Sequence, residues 1–286
     1  MTFYLDLNNH QKMSLNRPVW KLIDWVDLKK LNWSILSLNP NAIDLLMKNQ
    51  DKIDWNNLSA NPNAMKILEE NRDKINWKYL SENPNAIDML MKNQDKIDWF
   101  YLSTNQNAMK ILEENRDKID FRGLSCNPNP EAIKILKENQ DEIDWYLLSS
   151  NPSAIEFLEE NEDYIVWSEL SSNPNAMKLL KENEDEIYWS ELSLNPNAIE
   201  LLMNYPNDID WHHLSENPGA IKLLEANQNK IIWNLLSGNP SIFELDYEAM
   251  KKNNEMLYED LIKEVMKPSR VFKERDYDYI EVLFGD

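Results

Sequence analysis

The word Leu-Ser-x-Asn returns ten times in this chain, with its serine at Ser37, Ser59, Ser81, Ser103, Ser125, Ser149, Ser171, Ser193, Ser215 and Ser237. The step is 22 residues each time except once, where "NPNPEAI" (Asn127 to Ile133) stretches it to 24. A fixed period of this length identifies a stack of small units, none large enough to bury its own apolar face. A worn copy, "MSLNRPVWKLI" from Met13 to Ile23, precedes the series.

Each unit reads as two short helical elements. Asn-Pro opens the first: Asn is a good N-cap, and Pro at the first helical position has no donor to lose. Ala86, Ile87, Met89 and Leu90 then fall on one helical face. Asn93 suits the left-handed position that ends a helix. Ile97, Trp99 and Leu102 follow at a spacing that fits a short helix or 3₁₀ turn better than a strand. Four glycines in 286 residues leave little room for hairpin turns. The fold expected is all-α: an α-solenoid of about eleven 22-residue repeats, each a short α-helix plus a short helix or 3₁₀ turn. At roughly 8–10 Å between neighbouring helices, eleven units would trace an arc of about 100 Å.

The domain boundaries follow from where the pattern begins and fades. Residues 1–32 form an N-terminal cap with the degenerate repeat, and residues 33–240 form the tandem array. Residues 241–268 form a longer amphipathic capping helix, with Ile242, Leu245, Met250, Leu257, Leu261 and Val265 near one stripe and Pro268 as its stop. Residues 269–286 form a charged, then aromatic, tail. Residues 39–81 and 83–125 are nearly the same text, which points to duplication of a two-unit block.

Trp33, Trp55, Trp77, Trp99, Trp145, Trp167, Trp189, Trp211 and Trp233 share one slot, with Phe121 in the remaining unit. Fixed phase against two apolar columns makes this slot a core position.

Little in the sequence supports catalysis. The glycine-poor chain carries no phosphate loop or dinucleotide fingerprint. Cys126 is the only cysteine, which excludes an internal disulfide and fits a reducing compartment. His212 and His213 are adjacent, so on a helix they point about 100° apart and do not chelate as a pair. No catalytic residue, metal or cofactor is expected. The formal net charge of −20 makes direct nucleic-acid binding a poor expectation. "MTFYLDLNNHQK" is unlike a secretory leader, and no apolar run is long enough to span a bilayer.

Where the scaffold slots are fixed, a partner must be read by the slots that vary. The two positions after the Trp vary most. Among them Phe100, Tyr101 and Tyr146 are candidates for an aromatic patch at a protein interface. Between Glu156 and Glu191 stand eleven acidic residues against Lys178 and Lys181, a candidate face for a basic partner.

The "LSxNPNAIxLL…N…KIxW" unit resembles the tandem-repeat proteins encoded in many copies by mimivirus-type giant DNA viruses. "NPSIFELDYEAM…KPSR" resembles their usual C-terminal segment. The similarity runs from about Ser14 to Arg270. It implies a viral repeat protein working in the host cytoplasm or viral factory, or placed in the virion. The near-equal period and the "LSxNPN" word are also similar, more loosely, to leucine-rich-repeat variant proteins, whose units alternate an α-helix with a 3₁₀ helix. In the tail, Tyr277, four residues, Val282 and Leu283 resemble the peptide by which translation-initiation scaffold proteins hold the cap-binding factor, with Val282 in place of the usual Leu. That resemblance implies a non-enzymatic adaptor whose partner is the cap-binding translation initiation factor. The alternative is a structural component of the virion or viral factory.

Overall fold

The computed structural model describes residues 18 to 265, with the backbone alone at 256–258, 260–262 and 264–265. Two compact units are distinguished, one spanning Leu22–Glu244 and the other holding, among the described residues, 18–21 and 245–265. The first holds the repeats.

The unit that begins at Asn61 shows how the sequence builds each copy. The Asn61 side chain accepts a hydrogen bond from the Asn63 N–H and caps a 3₁₀ turn, Pro62–Ala64, with proline at its first position. The turn runs directly into the helix Met65–Glu70. Asn71 ends that helix, and its amide donates back to the Ile67 carbonyl at 2.9 Å. A second 3₁₀ turn, Arg72–Lys74, follows. Asn76 then caps the helix Trp77–Glu82, accepting from the N–H groups of Lys78 and Tyr79. The helix-ending asparagines are not left-handed as expected: Asn93 has φ −139°, and no described residue has positive φ. The chain continues at once into a 3₁₀ turn, so a reversal is not required; the side-chain amide satisfies the orphan carbonyl instead.

The core is aliphatic. Leu58, Ala64, Leu68 and their counterparts in the other units are fully buried. Each Leu contributes about 1.5–3 kcal/mol through burial. The tryptophans are not in this core; all ten described residues of that slot, Phe121 included, are half-buried. The Leu and Ala columns already fill the space between the two helices of a unit, so the larger ring lies along the unit's margin.

Two polar columns are fully buried: the Ser and the Asn of each Leu-Ser-x-Asn word. The Ser81 hydroxyl donates to the Trp77 carbonyl and accepts from the Asp98 N–H of the next unit. The Asn83 amide donates to the carbonyls of Ser59 and Asn61 in the unit before, at 3.0 and 2.8 Å. No buried side-chain polar atom among the described residues lacks a partner. Polar groups with this little solvent must be paired, and here the pairing itself joins the units.

The array closes on itself. The Asn39 amide donates to the carbonyls of Ser237 and Asn239, and the Asn32 N–H donates to the Ser237 hydroxyl. Asn41 donates to the Pro240 carbonyl, as Asn63 does to Pro40. The last unit therefore meets the first through the same bonds that link internal neighbours. The Leu22–Glu244 unit is a ring of ten Trp-slot helices rather than an open arc. Most neighbouring Trp-bearing helices pack directly on one another, whereas helices such as Ile43–Met47 pack mainly within their own unit. The Trp-bearing helices thus form the narrower layer of the ring.

At the seam no second helix follows the turn Pro240–Ile242. The chain enters along strand β1 (Trp20–Leu22) and leaves along its partner strand β2 (Phe243–Leu245). The pair is antiparallel: the Ile23 N–H meets the Ile242 carbonyl and the Asp246 N–H meets that of Val19. The 3₁₀ turn Leu28–Lys30 then resumes the repeat. The C-terminal helix runs Tyr247–Val265, starting later than Ser241 because Ser241 to Leu245 are used in the turn and strand. Part of the degenerate copy, Met13 to Arg17, lies outside the described residues, and its remainder contributes β1.

Candidate interaction surfaces

The two variable positions after each Trp sit in the first turn of the narrower-layer helices. Tyr101 meets Tyr79 edge-on at 5.6 Å and Phe100 at 5.2 Å. The Lys78 ammonium lies 5.2 Å from the Tyr101 ring. Phe100 and Tyr101 are thereby half-buried in a small cluster. Tyr146 is two units further on and 55% exposed. Arg122 stands in the equivalent position between Phe100 and Tyr146, paired with Asp144 at 3.4 Å. The structure thus joins Phe100 to Tyr101 but not to Tyr146. A hydrogen bond to Glu169, and then that carboxylate's charge, push the Tyr146 phenol above its ordinary range. Tyr277, Val282 and Leu283 lie outside the described residues.

A second surface follows the tryptophans. The last residue of the 3₁₀ turn after each Trp-bearing unit reaches back over that ring. Lys52 covers Trp33 at 4.4 Å, Lys74 covers Trp55 at 4.3 Å and Lys96 covers Trp77 at 4.3 Å. Lys118 covers Trp99, Lys230 covers Trp211, and at the seam Lys30 covers Trp233. An ammonium over an indole face is attracted by the ring quadrupole, worth about 0.5–1 kcal/mol at an exposed site. Sequence reasoning missed these lysines. The signal was present in Lys three residues before a Trp, as in Lys52–Trp55.

Four consecutive units lack the lysine, and Glu142, Tyr164, Glu186 and Asp208 occupy its position. Tyr164 stacks on Trp145 at 4.5 Å and 19°, and Tyr205 tilts onto Trp189 at 4.7 Å. Tyr164, Tyr188 and Tyr205 are exposed. This stretch coincides with the acidic run between Glu156 and Glu191.

The histidine pair differs from expectation. His212 and His213 touch edge-on at 5.4 Å. Their ring nitrogens and the Asp210 carboxylate lie within 4.8 Å of one another, the only such gathering among the described residues. Both histidines follow Asp210, the N-cap of Trp211–Glu216, so its carboxylate reaches each despite their divergence. That carboxylate already accepts from the N–H groups of His212 and His213 and from the Ser190 hydroxyl. Its arrangement is that of a helix cap.

Cys126 is half-buried. Burial pushes its thiol up, Asp144 adds to this, and Arg122 opposes it. Beside the C-terminal helix, a shallow depression is lined by Asp246, Glu248, Ala249, Lys251, Lys252 and Glu255. No described helix is long and apolar enough to cross a membrane.

No protein-family model matches the chain, and no curated protein or solved structure shows significant similarity to it.

Proposed function

We propose that this chain is a non-enzymatic scaffold that works by protein–protein contact. One observation carries the reading: the repeated residues are consumed in holding the ring together, while the residues that differ between units stand outward. Leu, Ala, Ser and Asn of the repeat are buried and internally paired. Tyr146, Tyr164, Tyr188 and Tyr205 are unit-specific and exposed. Exposed tyrosines supply large, rigid contact area of the kind protein interfaces use.

In its sharpest form the scaffold is a viral adaptor in the host cytoplasm. Its tail residues Tyr277, Val282 and Leu283 grip the cap-binding translation initiation factor, and the ring holds a second protein. The resemblance of the tail peptide supports this form. Affinity capture from cell extract with the full chain, and with a chain ending at Arg270, tests it. Loss of the cap-binding factor on truncation, with other partners retained, is expected. Equal capture by both chains removes the tail from the proposal, and absence of any specific partner removes the scaffold.

A further inference from the structure

Six of the ten aromatic slots carry an ammonium group supplied by the chain itself, at 4.3 to 4.8 Å from the ring centroid. The fold therefore displays, six times over, what this slot takes. Of the four rings without the lysine, two are covered by a tyrosine: Trp145 by Tyr164 from the lysine position itself, and Trp189 by Tyr205 from the end of the helix Ile199–Asn204. Phe121, with Glu142 in the lysine position, and Trp167 remain, and of these two Trp167 is the indole, the better face for a cation. Among the described residues it has neither a cation nor a ring against it, and the position from which a lysine would reach it holds Glu186. The position has thus changed from a supplier of positive charge to a carboxylate able to receive it. Exposed Tyr164 and Tyr188 stand on the neighbouring units' margins. Exposed carboxylates Glu162, Asp163, Glu184 and Asp185 occupy the adjoining 3₁₀ turns.

We propose that the Trp167–Glu186 slot binds a lysine side chain of a basic protein segment. The ammonium group would take the place that Lys52 takes over Trp33, with Glu186 as its counter-ion. The surrounding carboxylates would draw the segment in and raise its rate of encounter. Cation–π contact and an ion pair at one ammonium reinforce each other, because the indole excludes water from one side of the charge. This inference rests on the scaffold reading and names the chemistry of one partner.

The test uses the full chain and a fluorescein-labelled peptide with lysines alternating with glycine and serine, followed by anisotropy at fixed ionic strength. The wild type is expected to bind it, and Nε-acetylation of the lysines to weaken binding roughly tenfold. Glu186→Lys supplies the slot with the lysine that six sibling units already carry, so the fold should tolerate it. Binding should fall roughly tenfold. Glu113→Lys, exposed on the helix Met109–Glu114, makes the same charge change away from the slot and should lower binding far less. An unchanged affinity in Glu186→Lys, an equal fall in Glu113→Lys, or no binding by the wild type overturns the inference. Continued capture of cellular partners alongside any of these results would leave the scaffold reading standing.

Discussion

The side-chain amide of Asn39 donates to the main-chain carbonyl of Ser237 at 3.1 Å, across 198 residues of sequence. It also reaches the carbonyl of Asn239 at 3.0 Å. Asn61 makes the same two bonds to Ser37 and Asn39, at 3.0 and 2.9 Å. The seam of the ring is therefore chemically the same as an internal junction. A linear array has end units with one unmatched face, which must be made polar. Closure removes both faces at once.

This equivalence predicts that Asn39→Ala and Asn61→Ala destabilise the protein alike, by about 2–4 kcal/mol each. Each removes two buried hydrogen bonds, leaves carbonyls unpaired and deletes an N-cap. Urea denaturation followed by circular dichroism measures both. If Asn39→Ala costs little while Asn61→Ala costs the full amount, the first and last units do not meet in solution.

Gly123 marks a tight junction between Trp-slot helices. A Cβ placed there would lie 2.5 Å from the Phe100 carbonyl oxygen and 3.1 Å from the Ser103 Cβ. Both neighbours belong to the preceding Trp-bearing helix, and one is backbone, so relief requires the helices to separate. Gly123→Ala is expected to cost about 1–3 kcal/mol despite its gain in helix propensity. A melting temperature at or above that of the parent would show that the junction yields freely.

What was legible in the sequence follows the range of the interactions. Asn61-Pro62 as a turn and helix start, and Leu58 and Leu68 as core, are local statements that one unit's text contains. Closure is not local. It depends on how much closer Trp-bearing helices pack than the second helices, a small rotation per unit that accumulates over ten. The buried Ser and Asn were visible as polar residues kept in every unit. Asn83 was read only as a cap because its bonds to Ser59 and Asn61 lie 24 and 22 residues back. The Trp slot was misjudged for a related reason: its neighbour Lys52 comes from the next turn, and no residue within its own helix shows that the ring's face is covered by a charge. The seam had one trace, Lys30-Leu31-Asn32-Trp33, which parallels Lys52-Ile53-Asp54-Trp55 before the first full unit.

Cys126 should react slowly. Burial is the main cause holding its thiol above the ordinary range, with Asp144 adding to it and Arg122 opposing. Only thiolate attacks, so alkylation by iodoacetamide near neutral pH should be about tenfold or more slower in the native protein than in denaturant. Arg122→Ala removes the one stabilising charge and should slow it further. Equal native and denatured rates would mean that the thiol is open to solvent.

Asp210 gives a pH dependence with a definite sign. Burial acts to raise its carboxyl, but hydrogen bonds from the His213 N–H, the Ser190 hydroxyl and the His212 N–H, with the charge of His213, outweigh it and hold the value below the ordinary range. A carboxyl depressed in the folded state stabilises it fully above the unfolded value, about 3.9. That contribution is lost as pH falls through the lower folded value. Asp210→Asn keeps a competent cap, as Asn32 and Asn76 show in the same position, and removes only the charge. The group is about one-third exposed, so solvent discounts its contribution to about 0.5–1 kcal/mol near neutral pH. The stability gap between parent and variant should be constant down to about pH 5 and then close as the medium becomes strongly acid. Denaturation midpoints across that range measure it. A gap that persists unchanged in strong acid would place its origin in the shape of the side chain and not in its charge.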